Sequence, residues 1–323
     1  MKTRVAVLFG GRSGEHEISI RSSKSVIEAL DRDRFEVLPI FISKEGKWEP
    51  RAISPEPGAN PGIDVVIPML HGTFGEDGTV QGLLELADLP YVGPGVMASS
   101  VSMDKDMMKR VCRERGVPVV DYVVLTRDNL DAGRVTLGYP LFVKPANLGS
   151  SVGISKVKHA GQLKSALEEA AQYDRKIIVE RGIEGREFEC SVIGNGQPRA
   201  SVPCEILPSR EFYDYDDKYL LDAAQTVVPA GLPPEATAEL QRLAVESYIA
   251  VGCEGMARVD FLLESSTGRL FVNEVNTIPG FTSISMFPKM WEASGLPFSQ
   301  LVERLIDLAL ERHSEKKATR FTK

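Results

Sequence analysis

The stretch "ARVDFLLESSTGRLFVNEVN" (257–276) alternates polar and apolar residues on either side of a glycine-bearing turn, the pattern of two antiparallel strands in a hairpin. With Ser266, Thr267 and Gly268 as a three-residue loop and Gly268 in the left-handed conformation, Ser265 pairs with Arg269. Asp260 then faces Glu274, and Arg258 faces Asn276. Residues two apart on a strand share a side, so these four side chains occupy one face, and Val259, Phe261, Leu263, Phe271 and Val275 form the other, core-facing one. Two carboxylates and an amide together repel unless a cation joins them. One reading is a solvated face with Arg258 as ion-pair partner. The other is a Mg²⁺ site of Asp260, Glu274 and Asn276, since this ion takes hard oxygen ligands from one or two carboxylates plus substrate phosphates. A bidentate Glu274 would bridge two ions, and Arg258, unneeded by the metal, would be free to stabilise an oxyanion.

A second stretch, "KPANLGSSVGIS" (144–155), has the glycine and serine content of a phosphate loop. In the Walker loop the lysine follows the glycines and opens a helix; here Lys144 comes first. It is either a phosphate site of another design or a glycine-rich turn. Other candidates have plain structural readings too. Glu15, in a strand-to-helix loop, could cap the helix. His71 in "HGTFGEDG" could be a structural histidine, with Glu76 and Asp77 as caps. Lys105 could be an ordinary solvated charge. In "FYDYDDKYLLDAAQ" (212–225), Tyr213, Tyr215 and Tyr219 sit among acidic residues and Lys218, which fits a mobile lid better than a core stripe.

The elements that must position these residues are readable from periodicity. "RVAVLFGG" is a continuous apolar run ending in glycines, as in a parallel strand buried on both faces. Alternating strands and helices follow, through "FEVLPIFI", "DVVIPML" and "TVQGLLELAD", and imply a parallel sheet flanked by helices. "VSMDKDMMKRVCRERG" reads as a helical pattern closed by Gly116. An α+β segment comes next, with strands near 120–125 and 139–144, a helix over 160–172 and the strand "KIIVE". "EFECSVIG" and "PRASVPCEI" look like antiparallel neighbours around "NGQP". A helix over 234–251 carries Ala238, Leu243, Ala244 and Ile249, and "FSQLVERLIDLALERH" is an amphipathic closing helix. The boundaries expected are 1–100, 101–183 and 184–323, with a mobile loop over 205–225.

Composition narrows the class. The 323 residues are 43% hydrophobic and 26% charged with a net charge of −7, which suits a folded multi-domain protein and disfavours a broad nucleic-acid footprint. The four cysteines (Cys112, Cys190, Cys204, Cys253) are far apart and form no C-x-x-C, so they read as reduced, mostly buried thiols. No segment approaches the ~18 apolar residues of a membrane helix, and a cytoplasmic protein is expected. "LFGGRSGE" is not the G-x-G-x-x-G of a Rossmann oxidoreductase, and no acidic residue ends the second strand.

A lysine before a glycine-serine loop, a "VER" strand with downstream glutamates, and the R-x-D…N-E-x-N hairpin together resemble the ATP-grasp ligases. "GGRSGEHEIS" (10–19), "HGTFGEDGTVQGLLE" (71–85), "FYDYDDKYLLDAAQ" and "NTIPGFTSISMFP" (276–288) are similar, within them, to the D-alanine:D-alanine ligase family, from end to end of the chain. The resemblance implies an ATP-grasp fold: an N-terminal parallel-sheet, Rossmann-like α/β domain and two α+β lobes. It implies that ATP and two Mg²⁺ (or Mn²⁺) serve the joining of two D-alanine molecules through an acyl phosphate, in a homodimer, with no nucleic acid or membrane partner.

By the same resemblance Glu15 binds the first D-alanine's ammonium and, with Ser150 and Tyr219, orients and deprotonates the incoming amine. Arg258 and the Gly280 N–H hold the oxyanion, His71 lies near the acyl-phosphate centre, and Ser285 and Met286 receive the second carboxylate. Lys105, Lys144 and Lys218 contact phosphates, and Ser151 belongs to the loop whose N–H groups cover them. Glu180, Arg181 and Ile183 match the adenine edge, Glu187 the ribose, and Asp260, Glu274 and Asn276 the metal ligands. Arg181 departs from the usual lysine. Tyr219 matches relatives that use D-alanine, rather than D-lactate, as second substrate.

Overall fold

The structure, a computed structural model, describes residues 2–149, 152–207, 225–282 and 284–320. The candidates Ser150, Ser151, Lys218 and Tyr219, with Tyr213 and Tyr215, lie outside the described residues.

The first sheet contains β1 (Thr3–Gly10), β2 (Phe35–Ile42), β3 (Trp48–Glu49) and β4 (Val65–Met69) in the order β3-β2-β1-β4. Strand β1 runs parallel to β2 and β4, and β3 is an antiparallel edge. The unbroken apolar run of β1 follows from burial on both sides. Val5 and Val7 enter one core with Val65, Ile67 and Met69, while Ala6 and Leu8 enter another with Ile40, Ile42 and Val66. Helices α1 (His16–Ala29) and α2 (Thr79–Leu86) cover opposite faces through Val26 and Leu84. The first core also receives Leu301, Val302, Leu305 and Ile306 from the closing helix, Phe298–Lys317.

The pattern over 101–116 is broken where the sequence suggested continuity. Helix α3 (Val96–Met103) stops at Asp104, whose extended backbone starts α4 (Lys105–Glu114) and whose carboxylate accepts the N–H groups of Asp106 and Met107. Aspartate there is an N-cap, not a solvated charge. Gly116, at φ 76°, closes α4 as expected.

The second sheet is antiparallel throughout, with β5 (Tyr122–Thr126), β6 (Leu141–Pro145), β7 (Ser155–Val157) and β8 (Lys176–Arg181) in the order β5-β8-β6-β7. Helix α5 (Ala160–Tyr173) packs on it through Leu163, Ala166, Leu167 and Ala170. Strands β6 and β7 flank the "KPANLGSSVGIS" loop, so Lys144 stands near the end of a strand and the glycines turn between antiparallel neighbours.

The third sheet holds β9 (Gly185–Gly194), β10 (Arg199–Ala200), β11 (Cys204–Leu207), β12 (Gln225–Val227), β13 (Gly255–Glu264) and β14 (Leu270–Asn276). Strand β10 pairs with β9 across the NGQP turn as expected. Helix α6 (Pro234–Ala250) covers one face with Leu240, Leu243, Ala244 and Tyr248. Ala238 and Ile249, read as part of that stripe, are exposed. The inward face follows i, i+3, i+4, i+7, i+8 from Leu240, and those two positions lie off it.

The hairpin pairs Arg258 with Asn276 and Asp260 with Glu274, as expected, but by another route. The Glu264 N–H bonds the Arg269 carbonyl and Gly268 N–H the Glu264 carbonyl, so the loop runs over 265–268 and is one residue longer than inferred. A β-bulge at Asn273 absorbs the extra residue and restores the pairing at the carboxylates. Phe271 is therefore moved to the face opposite the one expected. It pairs with Leu262, with the Arg181 and Arg269 guanidinium groups 5.6 and 5.1 Å from its ring centre, and Val272 takes its place in the core beside Phe261.

All four cysteines are buried and unpaired. Burial pushes the Cys112 thiol up to about 11 and those of Cys190 and Cys204 up to about 12. Among the described residues no helix is long and apolar enough to cross a membrane.

Candidate active site

The polar face of the third sheet is built by period-two alternation across three strands. On β13, Arg258 and Asp260 stand opposite Asn276 and Glu274 of β14 on one side, and opposite Ser191 and Glu189 of β9 on the other. Arg258 is an ion-pair partner, as one of the two sequence readings had it, rather than free. Its Nε and Nη2 each donate to Asp260 at 2.7 Å, and Nε lies 3.2 Å from Glu189 Oε2. Burial opposes the guanidinium's charge, but Asp260 and then Glu189 outweigh it and hold the group firmly protonated. Asn276 Nδ2 also donates to Asp260, at 2.9 Å. Glu189 was missed in the sequence, although "EFECS" places Glu187, Glu189 and Ser191 on alternate positions opposite Leu262, Asp260 and Arg258.

This donor set fits Mg²⁺. Among the described residues no three His, Cys, Asp or Glu side chains are so arranged that they alone could hold a metal ion. Asp260, Glu274 and Asn276 instead offer two carboxylates and an amide on one face, which suits an ion that completes its shell with phosphate oxygens and water.

Three lysines approach the same face from α4 and the second sheet. Lys105 Nζ donates to the Leu148 carbonyl at 2.8 Å, holding the glycine-serine loop, and lies 3.8 Å from Glu274 Oε2. Lys144 Nζ is 2.6 Å from Glu180 Oε2 and 3.4 Å from Asn273 Oδ1. Lys109, not singled out in the sequence, is 0% exposed with Nζ 2.9 Å from Glu180 Oε1. Burial favours a neutral Glu180, but the attraction of Lys109 and Lys144 prevails and brings its pKa down to about 2.

The loops after β1 and β4 meet the 276–285 segment. Glu15 precedes α1 without capping it. Its carboxylate lies against Gly72, where a Cβ would sit 2.4 Å from Oε2, and Gly72 stands at φ 70°, the left-handed region that favours glycine. His71 Nδ1 is 2.9 Å from the Ile278 carbonyl, which can only accept, and Nε2 is 2.9 Å from Ser22 Oγ. Ser22 Oγ also accepts the Phe281 N–H, leaving its own proton for Nε2. His71 is thus neutral with its proton on Nδ1, in keeping with burial, which lowers its pKa.

Glu76 was read as a cap and does something else. Its carboxylate accepts the Gly72 N–H at 2.6 Å and the Ile278 N–H at 3.1 Å, clamping two loops 206 positions apart in the chain. Asp77 is the capping residue, accepting the Phe74 and Thr79 N–H groups. Glu76 keeps some exposed surface, yet burial of its carboxyl, then the charge of Glu15, push its pKa up to about 8. Further along, Ser285 Oγ accepts the Thr282 N–H, and a Cβ on Gly280 would come within 2.9 Å of it. Met286 opens helix α7 (Met286–Ala293) and packs near Cys204 and Ile206.

The profile of the D-ala D-ala ligase C-terminus matches residues 111–307, and that of its N-terminus matches 4–62 and 49–94. The chain belongs to the D-alanine–D-alanine ligase family. Across its full length it is 67% identical to the D-alanine–D-alanine ligase of Solibacter usitatus, covering 100% of each chain. It is 44% identical to D-alanine–D-alanine ligase A of Escherichia coli, covering 99% of each. The solved D-alanine-D-alanine ligase of Coxiella burnetii superposes with a TM-score of 0.87 at 40% identity, over 98% of this chain and 96% of that one. The VanG D-Ala:D-Ser ligase of Enterococcus faecalis superposes at 0.88 and 36% identity, over 96% and 100%. The fold is the ATP-grasp fold, and the family ligates two D-alanines with ATP for peptidoglycan precursor synthesis.

Against the D-alanine–D-alanine ligase pattern, the described candidates fall into two groups. Arg258, Asp260, Glu274 and Asn276 share one face, and Lys105 and Lys144 reach it. Glu15 and His71 join Gly280 and Ser285 through Gly72, Ile278 and Ser22. At the departure from the ligase pattern, Arg181 Nη1 bonds Glu264 Oε1 at 2.6 Å and the guanidinium lies over Phe271. Ile183 is half-buried just after β8, and Glu187 lies on the site face of β9.

Proposed function

We propose that this protein joins two D-alanine molecules into D-alanyl-D-alanine with conversion of ATP to ADP and phosphate. The observation that carries the reading is the register of β13 and β14, which sets two carboxylates, an amide and an arginine side by side in a chain matched to the ligase family from end to end.

A carboxylate oxygen of the first D-alanine attacks the γ-phosphorus, and the bond to ADP breaks. The second D-alanine's nitrogen then attacks the carbonyl carbon of that acyl phosphate, the carbon–oxygen bond to phosphate breaks, and the amine gives its proton to the Glu15, Ser150 and Tyr219 network. Arg258 and the Gly280 N–H take the oxyanion that forms between these two events. Turning Arg258 towards it draws on the guanidinium's unused donors, since Nε and Nη2 are engaged with Asp260. His71, with both ring nitrogens bonded, holds the loops rather than moving a proton. Ser285 and Met286 face the second carboxylate. Lys105, Lys144 and Lys218 hold phosphates under the loop containing Ser151. Glu180, Arg181 and Ile183 line the base and Glu187 the ribose. Asp260, Glu274 and Asn276 would hold two Mg²⁺, or Mn²⁺, which neutralise phosphate charge during transfer. We further propose a cytoplasmic homodimer.

ADP release measured with D-alanine, L-alanine, D-alanine plus D-lactate and D-alanine plus D-serine, with and without Mg²⁺, tests the assignment. D-Alanine with Mg²⁺ should give the fastest release. Turnover indifferent to alanine chirality would overturn the reading, and preference for D-serine as second partner would place the chain with the second solved relative.

A further inference from the structure

We propose that Lys109 is a positioning residue of the nucleotide site: its buried ammonium holds Glu180 and the Asn273 bulge so that Lys144 stays aimed at the ATP phosphates. The inference rests on the assignment of Lys144 to the nucleotide and adds a residue outside that set.

A lysine without solvent contact is costly unless it is paired. Lys109 is 0% exposed, and its ammonium lies 2.9 Å from Glu180 Oε1 and 3.5 Å from the Asn273 carbonyl. The same two residues hold Lys144, through Glu180 Oε2 at 2.6 Å and Asn273 Oδ1 at 3.4 Å. Each partner of Lys109 is thus also a partner of Lys144. Four elements meet there: α4, strands β6 and β8 of the second sheet, and β14 of the third.

Asn273 is the residue that the bulge leaves out of the ladder, and its carbonyl faces Lys109. Glu180 divides its charge between two ammonium groups, so it holds Lys144 less tightly than it would alone, and Glu274 and Glu187 also act on Lys144. Lys109, enclosed by protein, cannot reach a ligand itself and acts through Glu180. Without it, Glu180 would be free to swing and would hold Lys144 alone, as a neutral pair.

Steady-state kinetics of Lys109→Met, Lys109→Arg, Glu180→Gln and the double variant Lys109→Met/Glu180→Gln provide the test, with thermal melts to confirm folding. Lys109→Met should raise KM for ATP by roughly 10- to 100-fold, the equivalent of one charge-assisted hydrogen bond, with KM for D-alanine unchanged. Lys109→Arg should restore part of it. The double variant removes the Lys109–Glu180 charge pair and is read against Glu180→Gln, because Glu180 itself lines the base; with Lys109 acting through Glu180, the two should share one KM for ATP. A KM for ATP within about twofold of the parent in folded Lys109→Met, or one for the double variant well above that of Glu180→Gln, overturns the positioning role, since loss of a structural contact alone would lower the melting temperature without moving that constant. Parent enzyme that releases no ADP in response to D-alanine would instead count against the ligase assignment.

Discussion

Arg258 stands between two carboxylates, Asp260 and Glu189, that strand pairing sets side by side, and its replacement therefore has two separable effects. Arg258→Ala should lower kcat by about a hundredfold or more, in line with the ~2.7–4 kcal/mol lost with one oxyanion donor. It should also lower the melting temperature, because Asp260 and Glu189 lose the cation they share. An unchanged kcat in the folded variant would remove Arg258 from the reaction. Glu76 gives a pH signature of opposite origin. Its folded pKa of about 8 lies above the ordinary 4.5, so the folded state binds the extra proton between those values, and stability falls as pH rises through that window. Glu76→Gln should flatten the dependence. Urea midpoints for both proteins at about pH 5 and about pH 9 measure it, and parallel slopes would mean that Glu76 titrates normally. Residues such as Asp260, Glu274 and Asn276 were legible in the sequence because strand alternation decides their side. Glu76 and Lys109 were not, because a clamp between distant loops and a buried ion pair leave no local period.

At the level of the element, the hairpin shows how a correct pairing can be reached through a compensated turn. The left-handed Gly268 was expected and is found at φ 69°, but the loop is longer by one residue and the Asn273 bulge takes up the difference. Alternation alone could not reveal this, since the bulge leaves the pattern intact at Asp260 and Glu274 and shifts only the residues between it and the turn, Phe271 and Val272 among them. A Cβ at Gly268 would meet nothing within 4 Å, so Gly268→Ala isolates the backbone cost. It should destabilise by roughly 1 kcal/mol, read from the denaturant midpoint, and leave kcat unaltered. A neutral midpoint would imply that the turn relaxes to another conformation. The helix over 101–116 was misread for a related reason: Asp104 fits a helical charge pattern, and only its extended backbone shows it to be a cap.

Across the whole molecule, the order of sheets was readable because several switches between period two and helical period are marked by glycines, as at Gly10, Gly78 and Gly116, and the parallel sheet because β1 has no polar side. What could not be read was which distant helix completes which core. The closing helix buries Leu305 and Ile306 beside Val5, Val65 and Met69 of the first sheet. Leu305→Ala should therefore cost about 2–5 kcal/mol and raise hydrogen exchange in β1 and β4. Protection lost only within the helix itself would show that the two are not coupled. The same packing bears on biosynthesis. Strands β1 and β4 keep an apolar flank exposed until residues past 300 have left the ribosome. The nascent chain therefore holds an unfinished first sheet while the second and third sheets are being made, and a chaperone that shields apolar surface would have its longest engagement there.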